Sequence, residues 1–162
     1  MAYTMQVEGL EDLSRKLTQA GEKAQAIAAM GLYDGAGAMA DEIKSAADSI
    51  KTSKFHYAVF PPTVQRDPTP EEKAVVLSAS AGLAKFNKNG SEVNTSVGYS
   101  NAGYAQLNGK QVPIPKIANA INSGTSFMKK QPFFRKAVSS GTQKASQKIV
   151  NKIEDAINQM IK

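Results

Sequence analysis

A stripe of small and apolar residues at every fourth position constrains this chain more than any other feature: Phe133, Ala137, Gly141, Ala145, Ile149, Ile153 and Ile157. Residues four apart lie on one helix face, so the spacing predicts a helix from Pro132 to about Ile161. At 1.5 Å per residue such a helix spans about 45 Å, longer than a 162-residue domain needs for itself. The stripe also drifts around the helix, so it can serve two contacts in succession. Either the whole stripe is intramolecular core, the commonest fate of such a stripe, or its distal isoleucines Ile149, Ile153 and Ile157 overhang and dock on a neighbouring subunit. Pro132 suits the first helical position, where its fixed φ is favourable and its missing N–H costs nothing. Phe133 and Phe134 anchor that start to a core.

Upstream, Tyr3–Val7 reads as a short strand. Leu10, Leu13 and Leu17 mark one side of a first helix, with Glu8, Glu11 and Asp12 near its positive end, and Gly21 punctuates it. A second helix is predicted from about Glu22 to Ile50, carrying Ile27, Gly31, Leu32, Gly35, Met39, Ile43, Ala46 and Ile50 at steps of three and four. Its glycines each cost about 1 kcal/mol against alanine, so they either allow a close helix crossing or mark a kink near Asp34-Gly35, and one long helix with a weak middle is expected. Residues 51–73 hold Pro61, Pro62, Pro68 and Pro70 and are predicted irregular. Lys73–Ser80 reads as a strand centred on Val75, Val76 and Leu77. Gly82–Phe86 and Glu92–Tyr99 form a hairpin across Asn87-Lys88-Asn89-Gly90. Tyr104–Pro115 reads as loop with at most one short strand, and Ile117–Ile121 as a short helix. The expected class is α+β, one domain over residues 1–162, with a small antiparallel sheet packed by two long helices.

Composition narrows the function classes. The chain has one histidine and no cysteine, so disulfides, thiolate chemistry and cysteine-based zinc sites are excluded. His56 lies in a Phe-His-Tyr run with no nucleophile arranged beside it, and Glu71-Glu72 and Glu154-Asp155 are sequence neighbours that point apart on a helix. No Gly-Lys-Ser/Thr follows the glycines. The reading is therefore non-enzymatic, with no catalytic or metal-binding residues, no cofactor and no small-molecule substrate. No apolar run of about 18 residues offers a membrane span, and the first residues lack the pattern of a secretory signal; a cytoplasmic site of synthesis is expected.

Charge is distributed unevenly. Residues 1–50 carry four Lys/Arg against eight Asp/Glu, a net −4, and residues 51–162 carry sixteen against six, a net +10. The asymmetry suits head-to-tail contact between subunits or a basic face turned to nucleic acid. Lys136, Lys144, Lys148 and Lys152 lie one position ahead of the apolar stripe and form a basic edge. That edge either contacts a phosphate backbone or is a solvated helix face whose lysine stems cover the core margin. In the Pro-rich segment, Phe55, Tyr57, Val59 and Phe60 make either a docking loop that orders on assembly or an ordinary surface loop.

Several motifs occur in a fixed order: Gly9-Leu10 with Leu13 and Leu17, a long Ala-rich helix, Val97-Gly98, the turn Gly124-Thr125-Ser126, and Gln131-Pro132-Phe133-Phe134-Arg135. This order resembles the neck or tail-completion (head–tail joining) proteins of tailed bacteriophages, the gene-product-ten-like family. The resemblance is most specific over about twenty residues around the turn and the helix start. It implies a structural role at the phage neck, completing the tail or joining it to the head as a homo-oligomeric ring, a hexamer for example, or one formed only on assembly. The implied partners are further copies of the chain, other neck and tail proteins and, non-specifically, phage DNA, with no membrane. The implied location is the virion, after synthesis in a bacterial cytoplasm. Gly124, Thr125, Pro132, Phe133, Phe134 and Arg135 carry the resemblance as structural and assembly residues. The alternative function is a basic nucleic-acid-binding module using the lysine edge.

Overall fold

The computed structural model describes residues 10–54, 64–79, 81–85, 87–89, 92–99 and 103–161. The expected strand at Tyr3–Val7 and the loop residues Phe55, Tyr57, Val59 and Phe60 lie outside them. The architecture is α+β. Helix α1 runs over Leu10–Asp48 and α4 over Phe133–Ile161. At 39 and 29 residues they are about 58 and 43 Å long. They pack side by side as an antiparallel pair, and the shorter elements gather at one end of it.

The glycines of α1 explain how close the pair sits. A Cβ built on Gly31 would lie 2.9 Å from Ile153 Cγ1, and one on Gly35 would lie 2.7 Å from Ile149 Cδ1 and 3.0 Å from the Ala145 carbonyl oxygen. These positions are the crossing itself, and α1 runs through them without interruption. Gly21 does not end a first helix either, so the two helices expected upstream are one. Packing against α4 outweighs the propensity cost of the glycines at the crossing.

The core lies where the carboxyl end of α1 meets the amino end of α4. Ile43, Ala47 and Ile50 of α1 pack there with Phe133 and Ala137 of α4 and with Val76, Ile117, Ala118, Ile121 and Met128. Val76 belongs to α2, Pro70–Ser78, which replaces the strand expected over Lys73–Ser80. The cause is a capping box at its start. The Thr69 hydroxyl accepts from the Glu72 N–H at 3.2 Å, the Glu72 carboxylate accepts from the Thr69 N–H at 2.7 Å, and Pro70 takes the first helical position. These signals outweigh the β preference of Val75-Val76.

The strand residues divide into three two-stranded antiparallel ladders. Gly82–Leu83 (β1) pairs with Val97–Gly98 (β4), and Asn87–Asn89 (β2) pairs with Glu92–Asn94 (β3). The expected hairpin is therefore present, but Asn87, Lys88 and Asn89 are strand residues rather than its turn. Tyr104–Leu107 (β5) pairs with Lys110–Pro113 (β6) in a hairpin where loop was expected. Its turn is Asn108-Gly109, with φ of 51° and 74°, the left-handed pair that a two-residue hairpin loop requires. Helix α3, Ile114–Ser123, is longer than expected and buries Ile117, Ala118 and Ile121.

Candidate functional site

Two regions hold the residues singled out in the sequence: the shaft of the α1–α4 pair, and the turn that leads into α4. In the shaft the apolar stripe faces α1. Ala137 and Ala145 are buried, Gly141 lies against Met39 and Glu42, and Ile149 and Ile153 are half-buried against the α1 glycines. A step of four residues advances about 40° beyond a full turn, so the stripe rotates away from α1 along its length. By Ile157 it has left the contact, and that side chain is 43% exposed.

The lysines occupy one flank of this contact. Lys144 Nζ lies 2.6 Å from Glu42 Oε1, and the Ser140 hydroxyl bonds the other oxygen of that carboxylate at 3.3 Å. The hydrogen bond from Lys144 holds the Glu42 carboxyl below its usual range. Lys152 Nζ lies 3.5 Å from Asp34 Oδ2. Lys148 and Lys152 line a shallow groove of about 510 Å³ with Tyr33, Asp34, Gly37, Asp41 and Asp155. The acids of α1 thus face the bases of α4 within one chain, so part of the expected intersubunit charge pairing is intramolecular. Lys136 is exposed in the first turn of α4, one turn before Ser140.

Large exposed apolar residues sit on both flanks. Val150, 46% exposed, follows Ile149 by one residue, and Ile157 follows Val150 by seven, so the two share a face about 100° to one side of the α1 contact. Lys148 precedes Ile149 by one and is displaced by the same angle to the other side. There the groove begins, with Tyr33 at its edge, 54% exposed; Met30, also 54% exposed, stands three residues away on α1.

The second region is a knot around the start of α4. Gly124 closes α3 with φ of 79°, and a Cβ there would lie 3.1 Å from the Lys130 backbone nitrogen. Both the conformation and the close approach call for glycine. Thr125 closes the next turn: its N–H donates to the Met128 carbonyl and its hydroxyl accepts from the Met128 N–H, each at 3.0 Å. Pro132 lies just before the first helical residue, not at it, and its carbonyl accepts from Lys136 N–H at 3.1 Å. Phe133 is buried, and Phe134 packs edge-on to it and tilted against Tyr99, with 6.4 Å between ring centroids in both pairs. Arg135 is exposed, and its N–H reaches Asn122 Oδ1 at 3.4 Å. The motif residues are brought together and serve the local fold.

Gln131, Arg66 and Glu72 hold the knot; in the sequence Gln131 stood out only as part of the motif, Glu72 only as one of a pair of solvated acids, and Arg66 not at all. Gln131 Oε1 accepts from Lys51 N–H at 2.9 Å, and its Nε2 donates to the Lys51 carbonyl at 2.9 Å and to Asp67 Oδ1 at 3.2 Å. One side chain thereby ties the end of α1, the incoming segment and α4. Arg66 joins Met128 in a parallel bridge, with Arg66 N–H to Phe127 O at 2.9 Å and Lys129 N–H to Arg66 O at 2.7 Å. Its guanidinium grips Glu72 through two bonds of 2.7 and 2.6 Å. Burial raises the Glu72 carboxyl, but the hydrogen bonds from Arg66 and Thr69 outweigh it and leave the group below its ordinary 4.5. The far part of the Pro-rich segment is thus an ordered strap, with Pro68 fully buried. A Gln at the end of a loop and immediately before a helix-opening Pro was the available signal for Gln131; Thr69-Pro70-Glu71-Glu72 was the signal for Glu72.

Among the described residues no cluster of three or more His, Cys, Asp or Glu is placed to hold a metal ion, and no helix is long and apolar enough to cross a membrane. No protein-family model, curated protein or solved structure matches the chain.

Proposed function

We propose that this chain is a non-enzymatic assembly protein of a tailed-phage neck, repeated around a ring that completes the tail or joins it to the head. The observation that supports it is the helical shaft. It carries exposed apolar residues on two different flanks, Met30 and Tyr33 on one and Val150 and Ile157 on the other. Two unlike surfaces on one subunit are what a head-to-tail contact needs, and such contacts close into rings when the rotation between neighbours is right. The motif order around Gly124-Thr125 and Pro132-Phe133-Phe134-Arg135 is the reason for placing that ring at a phage neck.

The test is absolute mass by light scattering over a wide concentration range. Wild-type protein is expected to reach one discrete ring-sized species. Tyr33→Asp and Ile157→Asp, each spoiling one flank, are expected to stay monomeric alone and to stop at a dimer when mixed, because one intact flank of each kind remains. Single variants that still form rings would remove the flank contacts, and a wild-type chain that stays monomeric throughout would restrict the ring to one formed on its assembly platform. Mass spectrometry of purified tailed particles tests the location, with the chain expected in ring-like copy number.

A further inference from the structure

Along α4 and the turn before it, the described basic residues that do not face α1 acids lie at the head of the molecule. From Val93 to Ile153 the sequence contains nine Lys/Arg and no Asp or Glu. Lys144 and Lys152 face α1 carboxylates, and Lys148 shares its groove with Asp34 and Asp41. Four of the others, Lys129, Lys130, Arg135 and Lys136, fall close together around the start of α4, and all are exposed. Lys51 joins them, because Gln131 grips its backbone N–H and carbonyl at 2.9 Å while its side chain is exposed. The described acids nearby already have cationic or hydrogen-bond partners or stand at the end of α1: Asp67 accepts from Gln131, Glu72 is gripped by Arg66, Glu42 by Lys144 and Ser140, and Asp48 ends α1. The five exposed cations add to the partial positive charge at the amino end of α4.

We propose that this collar, Lys51, Lys129, Lys130, Arg135 and Lys136, binds the phosphate backbone of duplex DNA without reading its sequence. Its composition favours phosphate over a protein partner. Protein interfaces are depleted in lysine at their centre and built on aromatic anchors, whereas the collar is four lysines and an arginine with no aromatic member. Backbone contacts to DNA draw on exposed cations of this kind. The contact does not depend on the neck reading, since a lone monomer already carries every member of it.

Fluorescence anisotropy with two labelled duplexes of unrelated sequence, titrated from low to moderate salt, tests the proposal. Both duplexes are expected to bind equally. The logarithm of the binding constant falls with that of salt by about 0.9 per phosphate neutralised, so the full collar gives a slope near −4.5. The double variant Lys129→Ala/Arg135→Ala is expected to lower the slope by about 2 and to weaken binding at least tenfold at low salt. Both side chains are exposed, so circular dichroism is expected to match the wild type, and Lys129→Ala/Arg135→Lys is expected to recover one of the two lost contacts. Lys144→Ala/Lys152→Ala and Phe127→Ser are expected to leave the slope unchanged. Absence of DNA binding at about 50 mM salt, or a slope indifferent to the collar variants, would overturn the proposal. So would equal affinity for an oligoglutamate peptide, which would assign the collar to an acidic protein.

Discussion

Single atoms decide how closely α1 and α4 approach. At Gly35 a methyl group would press on the Ala145 carbonyl oxygen at 3.0 Å, and a backbone oxygen cannot swing aside as a side chain can. Gly35→Ala should therefore destabilise the protein by about 1–3 kcal/mol, although alanine is the better helix former. Gly37, two residues on, has nothing within 4 Å of its Cβ position. Gly37→Ala should stabilise by about 0.5–1 kcal/mol, and urea unfolding of the two variants should move in opposite directions. Tyr99 offers a second contrast. Its ring packs on Phe134, but its hydroxyl is buried with no hydrogen-bond partner among the described residues, and burial pushes its ionisation up to about 12. Removing a buried, unsatisfied hydroxyl relieves its desolvation cost, so Tyr99→Phe should raise stability by about 1 kcal/mol in the same assay.

Among the elements, α2 is the one whose stability depends most clearly on acid. The folded-state value of Glu72 is depressed below 4.5. Its contribution is present above pH about 4.5 and is lost as pH falls through the lower folded value. Thermal melts of the wild type should fall across that acid window, and Glu72→Gln, already missing the contribution, should fall less steeply there. The α1–α4 pair offers an exchange test. Glu42→Lys and Lys144→Glu should each lower the unfolding midpoint by placing like charges together, and the double exchange should restore it, with the differences shrinking in salt. These two elements also mark what the sequence made legible. The long helix and its stripe were readable because they rest on spacing along one element. Spacing left open whether the glycines crossed or kinked and whether Ile149 and Ile153 met a neighbouring subunit; the structure packs both isoleucines on Gly35 and Gly31 of α1. The strand expected at Lys73–Ser80 failed because Val75-Val76 was weighed above the capping residues that precede it. The β5–β6 hairpin was missed although Asn108-Gly109 announces its turn. Gln131 and Arg66 owe their roles to partners scores of residues away, Lys51 at a separation of 80 and Met128 across a bridge. Local spacing holds no trace of such pairings, and the same holds for the charge matching of Glu42 with Lys144.

Over the whole molecule, stability is concentrated at one end. The large buried side chains Ile43, Ile121 and Phe133 all belong to the head, whereas among the described residues the far part of α4 rests on α1 through Ile149 and Ile153. Hydrogen exchange should follow this gradient, with amides of residues 136–145 protected most and those beyond Ile153 exchanging through local fraying. A protection pattern that was uniform along α4 would show that head and shaft unfold as one unit. The Gln131 clasp has a further consequence. It sits at the base of a rod about 40 Å long, and α1 runs unbroken from that base along the rod. A rotation of about 10° at the clasp would carry the far end through about 7 Å over that length. A partner that turned the head at this clasp would therefore move the free end of the shaft through a larger distance.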